Sequence, residues 1–162
     1  MVALIRVLGR QGILVNDQQL AAGITNVVSN TGLKGRWQIL RRQPLTICDT
    51  GHNSDGLSQT MQQLQSLPHD RLHIVFGLTR EKDADKIFRL LPRQAVYYFC
   101  QARIPRAMDA THLRECASRA GLHGSVVEDV NAAYRMALTE ASEKDVVFVG
   151  GSTFVVAELD EL

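Results

Sequence analysis

Apolar positions along this chain change period near residue 35. Before that point Val2, Leu4, Ile5 and Leu8 recur at helical spacing up to Gly9–Gly12, which predicts a short amphipathic helix stopped by glycine. Asn16 or Asp17 then caps a second helical run, with Leu20, Ile24, Val27 and Val28 on one stripe and Thr31-Gly32 as its end. After Gly35 short β-type runs alternate with helical ones. WQILRR and LTICD meet at Gln43-Pro44, where proline argues against one continuous strand. The strands RLHIVFG, AVYYFCQ, GSVVED and DVVFVGG follow, interleaved with the helices HNSDGLSQTMQQLQSL, DADKIFRLL, DATHLRECASRAG, NAAYRMALTEAS and STFVVAELDEL.

HIVFG and VVFVG are apolar throughout rather than alternating, as expected of strands covered on both faces. The expected fold is therefore α/β: a three-layer, Rossmann-like, mostly parallel sheet with helices on both faces, preceded by two helices. The seam falls in Asn30 to Gly35, giving expected domains 1–31 and 32–162.

Composition narrows the function. At 162 residues, 45% hydrophobic and 22% charged, the chain can bury one real core. A net charge of +1 without basic runs argues against a nucleic-acid partner. Cys48, Cys100 and Cys116 form no C-x-x-C pair, which fits a reducing cytoplasm better than a disulfide framework or zinc site. The opening segment is broken by Arg6, Arg10 and Gln11 and reads as neither signal peptide nor membrane span.

In open parallel sheets, ligands bind beyond the carboxyl ends of the strands, so the loops there carry the candidate chemistry. Asp49 could accept from ribose hydroxyls, and His52 and Asn53 could serve an anionic or acyl group; equally, Asp49 and Asn53 could simply cap the next helix. His69, His73, His112 and His123 share no ligand-like spacing with His52, so no metal site is expected. Gly150-Gly151-Ser152-Thr153 lets backbone amides approach a carboxylate or phosphate, or forms a capped tight turn. It lacks the lysine of a P-loop, and no G-x-G-x-x-G follows a strand. Arg36 could reach phosphates held by a neighbouring domain, while Lys82, Asp83, Arg103 and Arg106 are loop charges of the kind usually solvated.

In order and spacing these pieces resemble the carboxy-terminal third of the folylpolyglutamate synthase/dihydrofolate synthase branch of the Mur ligases. Gly35-Arg36 is similar to its GR linker, and Asp49, thirteen positions later, opens a segment similar to D-G-A-H-N-P. Gly77 with Glu81-Lys82-Asp83 resembles G-x-x-x-D-K-D, Pro105-Arg106-Ala107 resembles P-R-A, and Gly150-Gly151-Ser152 with Val155-Val156-Ala157-Glu158 resembles the closing G-G-S helix. The resemblance implies an ATP-dependent ligase that forms an acyl phosphate, which the amine of L-glutamate attacks, the acceptor being a folate or dihydropteroate. It implies Arg36 and Asp49 on ATP, His52, Asn53 and Ser152 near glutamate with His52 catalytic, and Lys82, Asp83 and Arg106 as loop contributors.

Three features depart from that pattern: Thr50-Gly51 for Gly-Ala, Ser54 for proline, and Glu81 for aspartate. The chain also lacks the P-loop, magnesium ligands and folate-binding region that the family carries in an amino-terminal ATPase domain. The expectation is that residues 1 to about 31 are the last helices of that domain, and that the chain alone does not turn over. A peptidoglycan-building Mur ligase and a non-catalytic nucleotide or amino-acid binding module remain as alternatives.

Overall fold

The computed structural model describes residues 2–162, with side chains from Leu4 onward. Two compact units divide between Lys34 and Gly35. The first holds α1 (Val2–Arg10), α2 (Asp17–Thr25) and α3 (Val27–Thr31). Asn16 and Gln19 form a capping box that satisfies two of the donors at the start of α2. The single second helix expected from the apolar stripe is in fact broken at Asn26, whose backbone N–H and side-chain amide both donate to Ala22 O. A side chain that competes for a helical carbonyl ends the ladder locally.

The second unit contains β1 (Gln38–Arg42), β2 (Leu45–Cys48), α4 (Ser54–Ser66), β3 (Leu72–Phe76), α5 (Ala84–Phe88), β4 (Val96–Phe99), α6 (Ala110–Arg119), β5 (Gly124–Val126), α7 (Val130–Glu140), β6 (Val146–Gly150) and α8 (Thr153–Ala157). One six-stranded sheet runs β1-β2-β6-β3-β4-β5. All neighbours are parallel except β1 and β2, whose two-residue connection at Gln43-Pro44 is too short for a crossover.

Alternation along the central strands builds two cores. Leu72, Ile74 and Phe76 of β3 join Val146 and Phe148 of β6 on the face that receives Leu57, Met61 and Leu64 of α4, Ile87 of α5 and Leu113 of α6. Val75, Val147 and Val149 join Val130, Ala133 and Ala137 of α7 and Val155 and Val156 of α8 on the other. Both faces of β3 and β6 are therefore buried, and the expected three-layer architecture holds.

Asn53, Asp83, Asp109, Asp129 and Ser152 each cap the helix that follows. Helix α8 is shorter than the apolar run suggests and gives way to three-residue turns after Ala157. The carboxylates of Glu158, Asp160 and Glu161 are disfavoured at the negative end of a helix and are drawn off instead to the Arg103 backbone N–H, Arg135 and Arg41.

Insertion of β6 between β2 and β3 makes the strand order reverse there. The loops that leave β2, β6 and β3 thus open side by side, the location where α/β sheets place ligands.

Candidate functional site

Those three loops, with the segment after β4, enclose a cleft of about 290 Å³ lined by His52, Thr79, Glu81, Lys82, Arg106, Ser152, Thr153 and Phe154. Four side chains expected near ligand, His52, Lys82, Arg106 and Ser152, therefore converge. A larger hollow of about 490 Å³ opens around Arg71, Arg93 and Gln94 at the amino ends of β3 and β4. It holds none of the motif residues, and it lies at the end of the sheet opposite to the one where such folds bind ligands.

Glycine shapes the cleft floor. Gly151 has φ +91°, and a Cβ there would stand 2.5 Å from Phe76 Cε2 and 2.6 Å from Gly77 O. The chain can turn from β6 into α8 this close to β3 only without a side chain. Ser152 is buried and its Oγ accepts from Phe154 N at 3.2 Å, which leaves the hydroxyl proton to donate.

His52 Nδ1 lies 3.0 Å from Thr50 O and 3.4 Å from Thr153 Oγ1. A carbonyl only accepts, so Nδ1 carries the proton, and Nε2 is the nitrogen left for a ligand. Segment 104–108 is laced to the β3 loop through Arg80 N to Arg106 O (2.9 Å), Met108 N to Leu78 O (2.9 Å) and Arg80 Nε to Ala107 O (2.9 Å). Arg106, so held, stacks its guanidinium 4.5 Å from the centre of the Phe154 ring. Glu81 accepts from Thr79 Oγ1 at 2.8 Å and lies 3.8 Å from Arg106 Nη1. Its own backbone N–H, then the Thr79 hydroxyl, hold its carboxyl below the ordinary value, with Arg106 and Lys82 adding to the effect. The Lys82 backbone N–H donates to Thr79 O, and its ammonium has no hydrogen-bond or ion-pair partner among the described residues.

Of the other motif residues, Asp49, Asn53 and Asp83 are engaged within the fold. Asp49 is only 9% exposed; Oδ2 accepts from Trp37 N (2.8 Å), and Oδ1 accepts from Gly51 N (2.7 Å) and Thr60 Oγ1 (3.3 Å). That bond pins Trp37 at φ +44°, a left-handed backbone that a bulky residue rarely adopts. Gly35 O accepts from Thr50 N at 2.8 Å, and a Cβ on Gly35 would meet Thr50 Cγ2 at 2.7 Å. Arg36 is thus presented from a loop locked at both ends, exposed and without a hydrogen-bond or ion-pair partner among the described residues. Asn53 Oδ1 caps α4 through Gly56 N, and Asp83 Oδ1 caps α5 through Lys86 N. Neither lines the cleft.

Thr60, Trp37 and Phe154 escaped the sequence reading as participants. No local pattern marks them, because their partners lie 11, 12 and 48 positions away. Among the described residues no three of His, Cys, Asp or Glu come together to hold a metal ion. No helix among them is long and apolar enough to cross a membrane.

Comparison with known proteins bears on this geometry. The family described as "Mur ligase, glutamate ligase domain" matches residues 35–153. A relative from Haloferax volcanii, described as a probable bifunctional folylpolyglutamate synthase/dihydropteroate synthase, is 33% identical over 141 residues, covering 85% of this chain and 17% of the relative. The solved structure of E. coli FolC in complex with DHPP and ADP superposes with a TM-score of 0.80 at 27% identity, covering 93% of this chain and 35% of that one. A bifunctional folylpolyglutamate synthase/dihydrofolate synthase solved with Mn, AMPPNP and L-glutamate gives 0.70 at 29% identity, over 77% of this chain and 30% of that one. The chain therefore spans about a third or less of the proteins it matches.

Proposed function

Because the chain belongs to the Mur ligase family, matching it across the glutamate ligase domain, we propose that it acts as the amino-acid-binding half of an ATP-dependent ligase that adds L-glutamate to folate or dihydropteroate. The observation that carries this reading is the convergence of His52, Lys82, Arg106 and Ser152 on one cleft at the strand-order reversal. An acidic amino acid needs cationic donors for its carboxylates and an acceptor for its amine. Lys82 and Arg106 supply the first, and His52 Nε2 supplies the second. The Ser152 hydroxyl donates to a carboxylate oxygen.

The carboxylate to be joined is activated as an acyl phosphate. Arg36, fixed by Gly35 and Trp37, donates to phosphate oxygens, for which its planar fork is suited. Asp49 acts first by holding that loop, since a ribose contact requires exchanging one of its three internal bonds for a ribose hydroxyl. Asn53 and Asp83 set helix starts next to the cleft. The donor set among the described residues offers no magnesium site, so no step here passes through the metal. ATP chemistry is assigned to an ATPase domain as partner, with α1–α3 on its side and their apolar groove, about 430 Å³ and lined by Leu4, Leu8, Leu20 and Ile24, seated against it.

The test is a chimera in which residues 35–162 replace the matching third of the E. coli enzyme, assayed for L-glutamate addition. Activity is expected, with a loss of about 100-fold or more on His52→Ala, the size of a lost acid–base contact. An active chimera indifferent to His52→Ala and Lys82→Ala would remove the cleft from the reaction.

A further inference from the structure

Resting on the reading of this cleft as the amino-acid site, we propose that Glu81 is a built-in counter-carboxylate for Arg106. In this scheme the side-chain carboxylate of an incoming acidic amino acid displaces it, so that Arg106 on the Phe154 ring selects L-glutamate over neutral analogues. Three contacts carry the proposal. Arg106 is seated before any ligand arrives, its backbone laced to the β3 loop and its guanidinium 4.5 Å from the Phe154 ring centre. A cation already in place needs little ordering when an anion binds. Its face in the cleft is met by Glu81 Oε1 at 3.8 Å, too long for a hydrogen bond and short enough for attraction. The same oxygen is held back by the buried Thr79, whose hydroxyl donates to it at 2.8 Å.

Arg106 is therefore attracted to Glu81 without being saturated by it. A ligand carboxylate that approaches within hydrogen-bond distance makes the two-pronged contact that Glu81 does not. Glu81 cannot follow without giving up Thr79, so the exchange runs toward the ligand. An uncharged side chain of the same shape has nothing to offer in return and leaves the Glu81–Arg106 pair intact. Both side chains are about half exposed, 50% and 58%, so the competition is mild. Removing an exposed carboxylate of this kind is worth about two- to fivefold in binding.

The experiment titrates the 162-residue chain with potassium L-glutamate and, at matched ionic strength, with L-glutamine, following amide shifts by NMR. L-Glutamine has the same shape as L-glutamate and lacks only the side-chain charge. Wild type is expected to prefer L-glutamate. Glu81→Gln should tighten L-glutamate about two- to fivefold and leave L-glutamine unchanged. Arg106→Met, which keeps a flexible group against Phe154, should erase the preference. If Glu81→Gln binds L-glutamate no tighter, or Arg106→Met keeps the preference, the selectivity device is overturned while the amino-acid site stands. If no variant binds either amino acid in the cleft, the site reading itself falls and the device with it.

Discussion

Replacing Asp49 by asparagine tests whether this residue serves the fold before it serves any ligand. The carboxylate has donors on both sides: Trp37 N on Oδ2, and Gly51 N with Thr60 Oγ1 on Oδ1. Asparagine has one acceptor oxygen. Its better orientation keeps the two donors on the Oδ1 side and sets its NH₂ against Trp37 N–H, a donor facing a donor across what was a 2.8 Å bond. The loss is one hydrogen bond to a charged acceptor plus one stranded N–H, about 2–3 kcal/mol. That is about 30- to 140-fold in the folding equilibrium and a drop of about 4–12 °C in Tm for a chain of this size. Trp37, freed of its partner, should also relax from φ +44°, so near-ultraviolet circular dichroism of the only tryptophan should change. Urea denaturation of the unliganded chain measures the first effect directly. A loss below about 0.5 kcal/mol, within the range of ordinary surface substitutions, with Trp37 unmoved, would refute the argument and return Asp49 to a purely ligand-binding role.

Three further outcomes follow from local geometry. Gly151→Ala combines a left-handed backbone with a Cβ 2.5 Å from Phe76 Cε2, and should cost about 2–5 kcal/mol by chemical denaturation; a cost under about 1 kcal/mol would contradict the close packing. Burial alone would raise the Asp145 carboxyl, but hydrogen bonds from Ser142 and from Arg71 N, with His73 3.5 Å away, bring it below the ordinary value. Its contribution is then complete above the unfolded value of about 3.9 and is lost as pH falls through the folded one; Asp145→Asn should flatten the acid limb of a stability-versus-pH curve, and an unchanged limb would count against it. Burial pushes the Cys48 thiol up to about 11 and the Cys100 thiol upward as well, so a thiol reagent at pH 8 should leave both unmodified in the folded chain and label both in denaturant.

How much of this was legible beforehand depends on range. Strand and helix alternation and the two fully apolar strands are local, and β3, β6 and the Asn53 and Ser152 caps follow from a few neighbouring residues, whereas Asp83, read as a loop charge, caps α5. The break at Asn26 was missed because the apolar stripe continues across it; only the side-chain bond to Ala22 O shows why the ladder stops. The site divides in the same way. The loops that carry it could be named from their position after strands, but the task of each side chain could not. For Asp49 the two readings, helix cap or ribose acceptor, both missed its bond to Trp37, twelve residues earlier in a loop whose only visible signal was Gly35-Arg36.

The long-range part has one structural cause. His52 and Thr153 are 101 positions apart and lie 3.4 Å from each other, because β6 enters the sheet between β2 and β3 after β4 and β5 have been laid down. Were β6 instead added at the β5 edge, the loop that carries Ser152 and Thr153 would open three strands away from β3 and four from β2, and no cleft could contain both His52 and Ser152. Each motif is therefore chemically incomplete: the loops after β3 and β4 bring the cations Lys82 and Arg106 with Glu81, a carboxylate already engaged by Thr79 and facing Arg106, and His52 is an acceptor without a neighbouring cation. The order of strands makes them one site, and a sequence motif speaks to that order only through the family whose fold it signals.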